Sequence, residues 1–415
     1  MIGKLEIMAP AGNFEALAAA IQAGANSVYF GVENLNMRSH SANNFKTEDL
    51  PKIVRECRMR GVKTYLTLNI VLYDEDIETA HHTIDAAKAA GVSAVIASDL
   101  AVITYARSVG MEVHISTQLN VSNIEALKFY SQFADVTVLA RELNLHQVKE
   151  LHEKILKENI CGPAGKPVEI EMFCHGALCM AISGKCYLSL HEYNSSANRG
   201  SCFQICRRGY RVTDIETGRE LEIDNKYIMS PKDLCTIEFM DKMAEAGVTV
   251  FKIEGRARPA EYVLKVASAY REAADAIENG TFTPELGKRL KTRLEEVFNR
   301  GFWDGYYQGA RLGEWSKVYG SHATKKKVYA GRISNYFNKL GVAEIVVEAA
   351  PIQLGDHIMI VGPTTGVVEL DLNEIRVELK TCDIAHQGED CSIPVPRKVR
   401  RADKVFIYND IETNN

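Results

Sequence analysis

The sequence predicts an α/β protein: a (β/α)8 TIM-type barrel with a Cys-rich insertion, followed by a small C-terminal antiparallel β-barrel domain. Three observations predict it. Eight short apolar runs alternate with amphipathic helical stretches over the first two-thirds of the 415 residues. A glycine step recurs where helices hand over to those runs. After about residue 320 the apolar period drops to two.

The eight runs lie at 4–8, 27–32, 63–70, 94–98, 112–117, 136–140, 168–173 and 249–254. Runs such as AVIAS and VTVLA are nearly all apolar, as expected of parallel strands buried on both faces. Between them, Phe14, Leu17, Ala18 and Ile21 recur at i, i+3, i+4 and i+7 and place an apolar stripe on one helix face. Ala23-Gly24-Ala25, Arg60-Gly61-Val62, Ala90-Gly91-Val92 and Ala246-Gly247-Val248 each precede a run, with glycine ending the helix in the left-handed conformation. Eight such units in series argue for a closed barrel, the alternative being an open doubly wound sheet.

Between the seventh and eighth runs the rhythm breaks. Residues 174–235 are rich in Cys, Gly, Ser and Asn (HEYNSSANRGSC) and form an insertion at the C-terminal end of a strand, where barrel enzymes place function. The barrel unit is read as 1–320 and the β domain as 321–415, where KVYAGRI, VAEIVVEA and DHIMIVG alternate polar and apolar residues. Lys325, Lys326 and Lys327 open this domain; Arg397, Lys398, Arg400 and Arg401 stand near its end. If a barrel joins those ends, they make one basic patch suited to RNA phosphates. The alternative is two solvated surface runs.

Hydrophobic residues make up 46% and charged residues 25%, the balance of a globular protein. A net charge of −5 excludes a global basic field, so any nucleic-acid contact must be local. The start, MIGKLEIMAP, is no signal peptide, and no run of eighteen apolar residues spans a membrane. A cytoplasmic protein with reduced thiols is expected.

Of ten cysteines, four cluster. Six residues separate Cys179 from Cys186, fifteen separate Cys186 from Cys202, and three separate Cys202 from Cys206. Four thiolates can hold zinc or an iron–sulfur cluster. Zinc sites usually show two close pairs; here only Cys202 and Cys206 are close, so spacing leans to iron and sulfur while leaving unrelated thiols open.

Other candidates sit at strand ends: Pro10-Ala11-Gly12-Asn13, Arg38, Asn69, Gln118, Asn120, and Glu171 with His175. Lys252, Glu254 and Arg256 alternate along the eighth strand and so share a face. Three charges inside a barrel are costly unless they pair or bind a substrate. A carboxylate-bearing donor suits Arg38, Lys252 or Arg256, because arginine grips carboxylate with two parallel hydrogen bonds; a structural ion network is the alternative. His175 is read as a catalyst or as a capping or core histidine. There is no G-x-S-x-G elbow and no H-E-x-x-H; His152-Glu153 and His191-Glu192 lack the second histidine. The stretch GPAGK at 162–166 lacks phosphate-loop spacing and reads as a turn.

Residues 171–189, EMFCHGALCMAISGKCYLS, resemble the signature of peptidase family U32, matched by Glu171, Phe173, Gly176, Cys179, Gly184, Cys186 and Ser189. RGSCFQICRRGY, the opening MAPAGNFEALAAAIQAGANSVYFG, SPKDLC at 230–235, FKIEGRARPAEYV at 251–263 and FNRGFWDGYY at 298–307 are similar to the family as well. The resemblance implies a four-iron four-sulfur cluster held by Cys179, Cys186, Cys202 and Cys206, with Cys235 as the rival fourth ligand. It implies hydroxylation chemistry: one branch makes 5-hydroxyuridine at the tRNA wobble position, with prephenate implicated, and the C-terminal β domain looks like that branch. The expectation is an iron–sulfur-dependent tRNA uridine hydroxylase, with tRNA and a smaller homologous U32 subunit as partners to look for. A collagenase-like peptidase, after which the family is named, is the alternative. A non-enzymatic iron–sulfur or RNA-binding protein is the third reading.

Overall fold

A computed structural model of the chain describes residues 3–39, 44–211, 213–218, 229–309, 313–317 and 320–411. Residues 212 and 219–228 of the expected insertion lie outside that set. Seven parallel strands run in sequence order: β1 (Glu6–Pro10), β2 (Ser27–Phe30), β3 (Lys63–Leu68), β4 (Ala94–Ala97), β5 (Glu112–Ile115), β6 (Val136–Val138) and β7 (Glu169–Gly176). After the short strand β8 (Asp233–Cys235), strand β9 (Val248–Ile253) pairs in parallel with both β7 and β1 and closes an eight-stranded barrel. That double pairing removes the open-sheet alternative. All eight expected strands form. β8 is an addition, pairing antiparallel to the end of β7 through His175 and Gly176, with the two-residue β10 (Phe302–Trp303) beside it.

The glycine steps behave as the repeat implies: Gly24, Gly61, Gly91 and Gly247 all have positive φ. Gly91 is the left-handed C-cap of α3 (Ile77–Ala90), a conformation in which a Cβ would clash with the backbone. The Pro10–Asn13 stretch has a structural role. Asn13 caps helix α1 (Phe14–Gln22) by accepting from the Ala16 N–H, and a Cβ on Gly12 would overlap the Arg256 carbonyl oxygen. The first β–α turn is thereby pressed against the chain leaving the last barrel strand.

The C-terminal region is an eight-stranded antiparallel sheet with its own buried core of Val, Ile, Leu and Ala. Its members used below are β11 (Lys325–Phe337), β12 (Val342–Val347), β14 (His357–Gly362), β15 (Gly366–Asp371) and β20 (Lys404–Asp410). Its two end strands are not paired with each other among the described residues. Instead the β15 edge meets the barrel: the Gln22 side chain donates to the Val367 carbonyl at 2.8 Å and accepts from its N–H at 3.1 Å. Lys265 of α9 (Ala260–Glu278) bridges Glu296 and Glu369 at 3.0 and 3.1 Å, and Lys327 bonds Glu261 at 2.6 Å. The β domain therefore docks on the barrel flank formed by α1 and α9. Among the described residues no helix is long and apolar enough to cross a membrane.

The two basic runs do not converge. In the antiparallel β11–β20 ladder Lys325 faces Asp410 while Arg332 faces Lys404. Residues 397–401 precede β20, so they sit near Arg332, at the far end from Lys325–Lys327. About six residues of strand separate the runs, roughly 20 Å at ~3.3 Å per residue. Lys327 is also taken up by Glu261, and Arg397 donates to the Val367 carbonyl. Lys326, Lys398, Arg400 and Arg401 remain exposed. The single-patch expectation is corrected by the strand order.

Candidate active site

The C-terminal ends of the barrel strands open into a cavity of about 200 Å³. Strand ends form its floor and the Cys-rich segment its lid. Arg38, Lys252, Glu254 and Arg256 line it, and so do Cys179, Cys186, Cys202 and Cys206. The sequence thus separates over some two hundred residues what the barrel brings together.

The floor is an ionic ladder through the barrel interior. The Lys252 ammonium lies 2.6 Å from one Glu171 oxygen; the other stands 3.8 Å from His114 Nδ1. His114 Nε2 lies 3.1 Å from Glu112, whose side chain reaches solvent at the opposite end of the barrel. Burial raises the Glu171 carboxyl, but Lys252 and His114 outweigh it, and it stays ionised. For His114 burial opposes the charge, yet Glu112 and Glu171 lift it to about 9. Because that value exceeds the unfolded one of ~6.5, the contribution to stability is complete below about pH 6.5 and is lost as pH climbs through about 9. Urea unfolding between about pH 6.5 and 9.5 should show stability falling by up to ~1.4 kcal/mol per pH unit. The slope should be smaller in His114→Gln; an unchanged slope would assign the titration to other groups.

One layer higher, Glu254 Oε1 accepts from Arg38 at 2.7 and 3.2 Å. Burial pushes this carboxyl up, but Arg38, Arg141 and Arg256 hold it at about 2. Arg256 is different. Its guanidinium donates at 2.8 Å to Asn36 and at 2.7 Å to Thr67, both neutral, and its buried Nε has no partner. Burial lowers it to about 10, so it stays charged at neutral pH. A cation held by neutral acceptors in a cavity wall is a hook for an anion.

Sequence reasoning missed Arg141, Arg207, Arg258 and Arg300, all of which line the cavity. Arg141 stacks 3.8 Å over Phe173 and donates to the Ala177 carbonyl. Arg207 ties the lid to the Leu178 and Pro231 carbonyls, and Arg300 meets Asp233 at 3.3 Å. The available signal was the RAR of EGRAR and the NRG of FNRGF, which carry Arg258 and Arg300. Among the described residues, seven cationic side chains and one carboxylate line the cavity of a protein whose net charge is −5.

His175 is not brought to the cavity. It packs among Tyr262, Tyr270 and Phe302, with Nδ1 3.5 Å from the Tyr270 hydroxyl, and burial lowers it to about 3. A neutral imidazole in a core is a packing residue. Asn69 donates to Ser116 and Gln118 at 3.2 and 3.3 Å, and Asn120 ties the lid through the Ser183 carbonyl at 3.0 Å.

The four lid thiols share one wall. Burial raises the thiols of Cys186 and Cys206, and their sister cysteines add to the shift in each, which places all four in one another's field. Among the described residues no three His, Cys, Asp or Glu side chains stand close enough to hold a metal ion. The donor set nevertheless fits a thiolate-ligated cluster: four soft ligands on short turns, with Arg38 and Arg207 beside them to balance negative charge. Cys235 fits poorly as a fourth ligand. It lies outside the cavity lining, beside Cys174 and Tyr270, and burial pushes it to about 11.

A family model described as Peptidase family U32 matches residues 12–317. A protein named collagenase from Porphyromonas gingivalis is 60% identical over 411 residues, covering 99% of both chains. The tRNA hydroxylation protein P1 of Bacillus subtilis is 35% identical over 341 residues, 80% of this chain and 78% of that one. The 23S rRNA 5-hydroxycytidine C2501 synthase of Escherichia coli is 34% identical over 319 residues, 75% of this chain and 46% of its own.

Proposed function

The chain belongs to peptidase family U32, and from that premise we propose that it is an iron–sulfur-dependent RNA hydroxylase acting on tRNA, converting wobble uridine to 5-hydroxyuridine. The observation that carries the reading is the cavity lining: among the described residues, seven cations to one carboxylate, beside four thiols. Such a pocket favours anionic occupants. A dicarboxylate donor such as prephenate and an RNA phosphate both qualify, and arginine matches each with paired hydrogen bonds.

In this reading Cys179, Cys186, Cys202 and Cys206 hold a four-iron four-sulfur cluster, which when bound supplies a redox-active or oxygen-binding centre. Arg256 and Arg38 bind the carboxylates of the donor. Glu254 fixes Arg38, and Lys252, ion-paired with Glu171, holds a further anionic group or delivers a proton from Nζ. The tRNA hydroxylation protein of B. subtilis and the rRNA hydroxycytidine synthase of E. coli support this choice of chemistry.

The collagenase-named relative favours a second reading, proteolysis. A serine or cysteine nucleophile needs a base beside it. Among the described residues no histidine lines the cavity, and the one carboxylate that does is engaged by Arg38. The described lining therefore favours the first reading over a nucleophilic peptidase.

Two measurements test the proposal. Protein purified without oxygen should be brown, absorb near ~400 nm and carry about four irons per chain. Cys179→Ala should lose the colour, whereas Cys57→Ala and Cys235→Ala should keep it. Nucleosides from tRNA of a deletion strain should lack 5-hydroxyuridine derivatives. An unchanged nucleoside profile, in a strain with no second hydroxylase, together with lost gelatin cleavage would transfer the case to the peptidase.

A further inference from the structure

The Cys-rich lid has two sides, and only the inner one is accounted for by the cavity. From Ala177 to Arg211 the chain carries Lys185, Arg199, Arg207, Arg208 and Arg211 against Glu192 alone, five cations to one carboxylate. Its outer side also presents three aromatic rings to solvent: Tyr187 is 69%, Tyr193 46% and Phe203 51% exposed. Two of them directly follow cavity cysteines, Tyr187 after Cys186 and Phe203 after Cys202. Tyr193 and Phe203 stand 5.1 Å apart, and Arg208 lies 5.4 Å over the Tyr193 ring. Met180 and Ile182, also exposed, belong to the cavity lining and form the lip between the two sides.

Exposed aromatic rings interleaved with cations, in a chain otherwise net negative, are a poor surface for an acidic or a purely apolar partner. They match unpaired nucleic acid, whose bases stack on aromatic faces while its phosphates meet Lys and Arg. We propose that the outer face of the lid, centred on Tyr187, Tyr193 and Phe203 with Lys185 and Arg208, is the docking platform for an unpaired RNA segment. Bases stacked there lead across the Met180–Ile182 lip, so that a flipped target base enters the cavity. This proposal rests on the RNA reading above and moves the main contact from the β domain, no described residue of which lines the cavity, to the lid. Arg199 contributes least, because Asp76 engages it at 2.7 Å and Glu75 lies on the same side.

The test is fluorescence anisotropy of the anaerobically purified protein with a labelled unpaired RNA oligonucleotide and with an RNA duplex. Binding to the unpaired strand should be the tighter and should weaken with salt. Tyr187→Ala and Phe203→Ala should each weaken it by about tenfold, from stacking worth ~1–3 kcal/mol per base. Tyr187→Phe, which keeps the ring, should bind as the parent does. Lys326→Ala and Arg401→Ala should have little effect. Melting curves and the cluster absorbance confirm that each variant is intact. If the lid variants bind normally while Lys326→Ala or Arg401→Ala fails, the platform is refuted and the RNA reading survives. If the parent protein binds neither RNA, both fall. If light scattering shows a dimer that Tyr187→Ala dissolves, with RNA binding unaltered, the rings serve a second copy of the chain and the proposal is overturned.

Discussion

Glu171→Gln is expected to lower the unfolding free energy by about 3–5 kcal/mol. Glu171 is fully buried, 2.6 Å from Lys252 and 3.8 Å from His114, so it compensates two cations at once. Glutamine keeps the shape and removes the charge, stranding an ammonium in the barrel floor. Lys252→Met should also destabilise, though less, because His114 still faces the orphaned carboxylate. The double variant should recover part of the loss, with a coupling of ~0.5–3 kcal/mol between the two positions. Urea unfolding of the four proteins at neutral pH gives this cycle directly. A neutral Glu171→Gln would mean that the pair is uncharged in the folded protein. The double variant separates architecture from chemistry as well: if Lys252 touches substrate, the refolded protein stays inactive.

The barrel was readable because its signals are local. Buried parallel strands require continuous apolar runs, and each helix end requires a left-handed residue, which glycine marks at Gly24, Gly61, Gly91 and Gly247. Lys252, Glu254 and Arg256 do share the cavity, as their alternation suggested, but β9 ends at Ile253, so Glu254 and Arg256 reach it from the segment after the strand. What the chain could not announce was pairing across the fold. Glu171 and Lys252 are 81 residues apart, and Arg38 and Glu254 are 216 apart; nothing near either residue names its partner. His175 shows the converse. It stands four residues from Glu171 and four from Cys179, yet a register shift between Phe173 and His175 interrupts the strand alternation, and its ring packs against Tyr270 of α9 rather than into the cavity. The β domain misled for a third reason. Alternation identifies strands but not their order, and order alone decided that Lys325–Lys327 and Arg397–Arg401 lie at opposite ends of one ladder.

Arg256→Met should behave in the opposite sense from Glu171→Gln: activity falls by about 100-fold or more while stability is unchanged or slightly higher. Arg256 is buried, its Nε has no partner, and its two hydrogen bonds go to neutral oxygens of Asn36 and Thr67. Glu254, the carboxylate of the same wall, is already engaged by Arg38. Holding a guanidinium in such a place is a net burden on the fold, of the kind that substitution by an apolar side chain often relieves. Residues of this sort persist where function needs an unsatisfied charge, and their removal trades activity for stability. Losing a bidentate carboxylate or phosphate contact removes ~1.5–3 kcal/mol of binding, with a further loss if the contact tightens at the reacting geometry. The loss should therefore appear first as a raised KM for the anionic donor. Arg256→Lys should rescue little, since a point charge cannot supply the paired donors. Comparing thermal unfolding with turnover across Arg256→Met, Arg256→Lys and Glu171→Gln tests the division of labour in the cavity. If Arg256→Met proves as destabilising as Glu171→Gln, Arg256 is a structural strut, and the anion must be sought at Arg38 or Arg258.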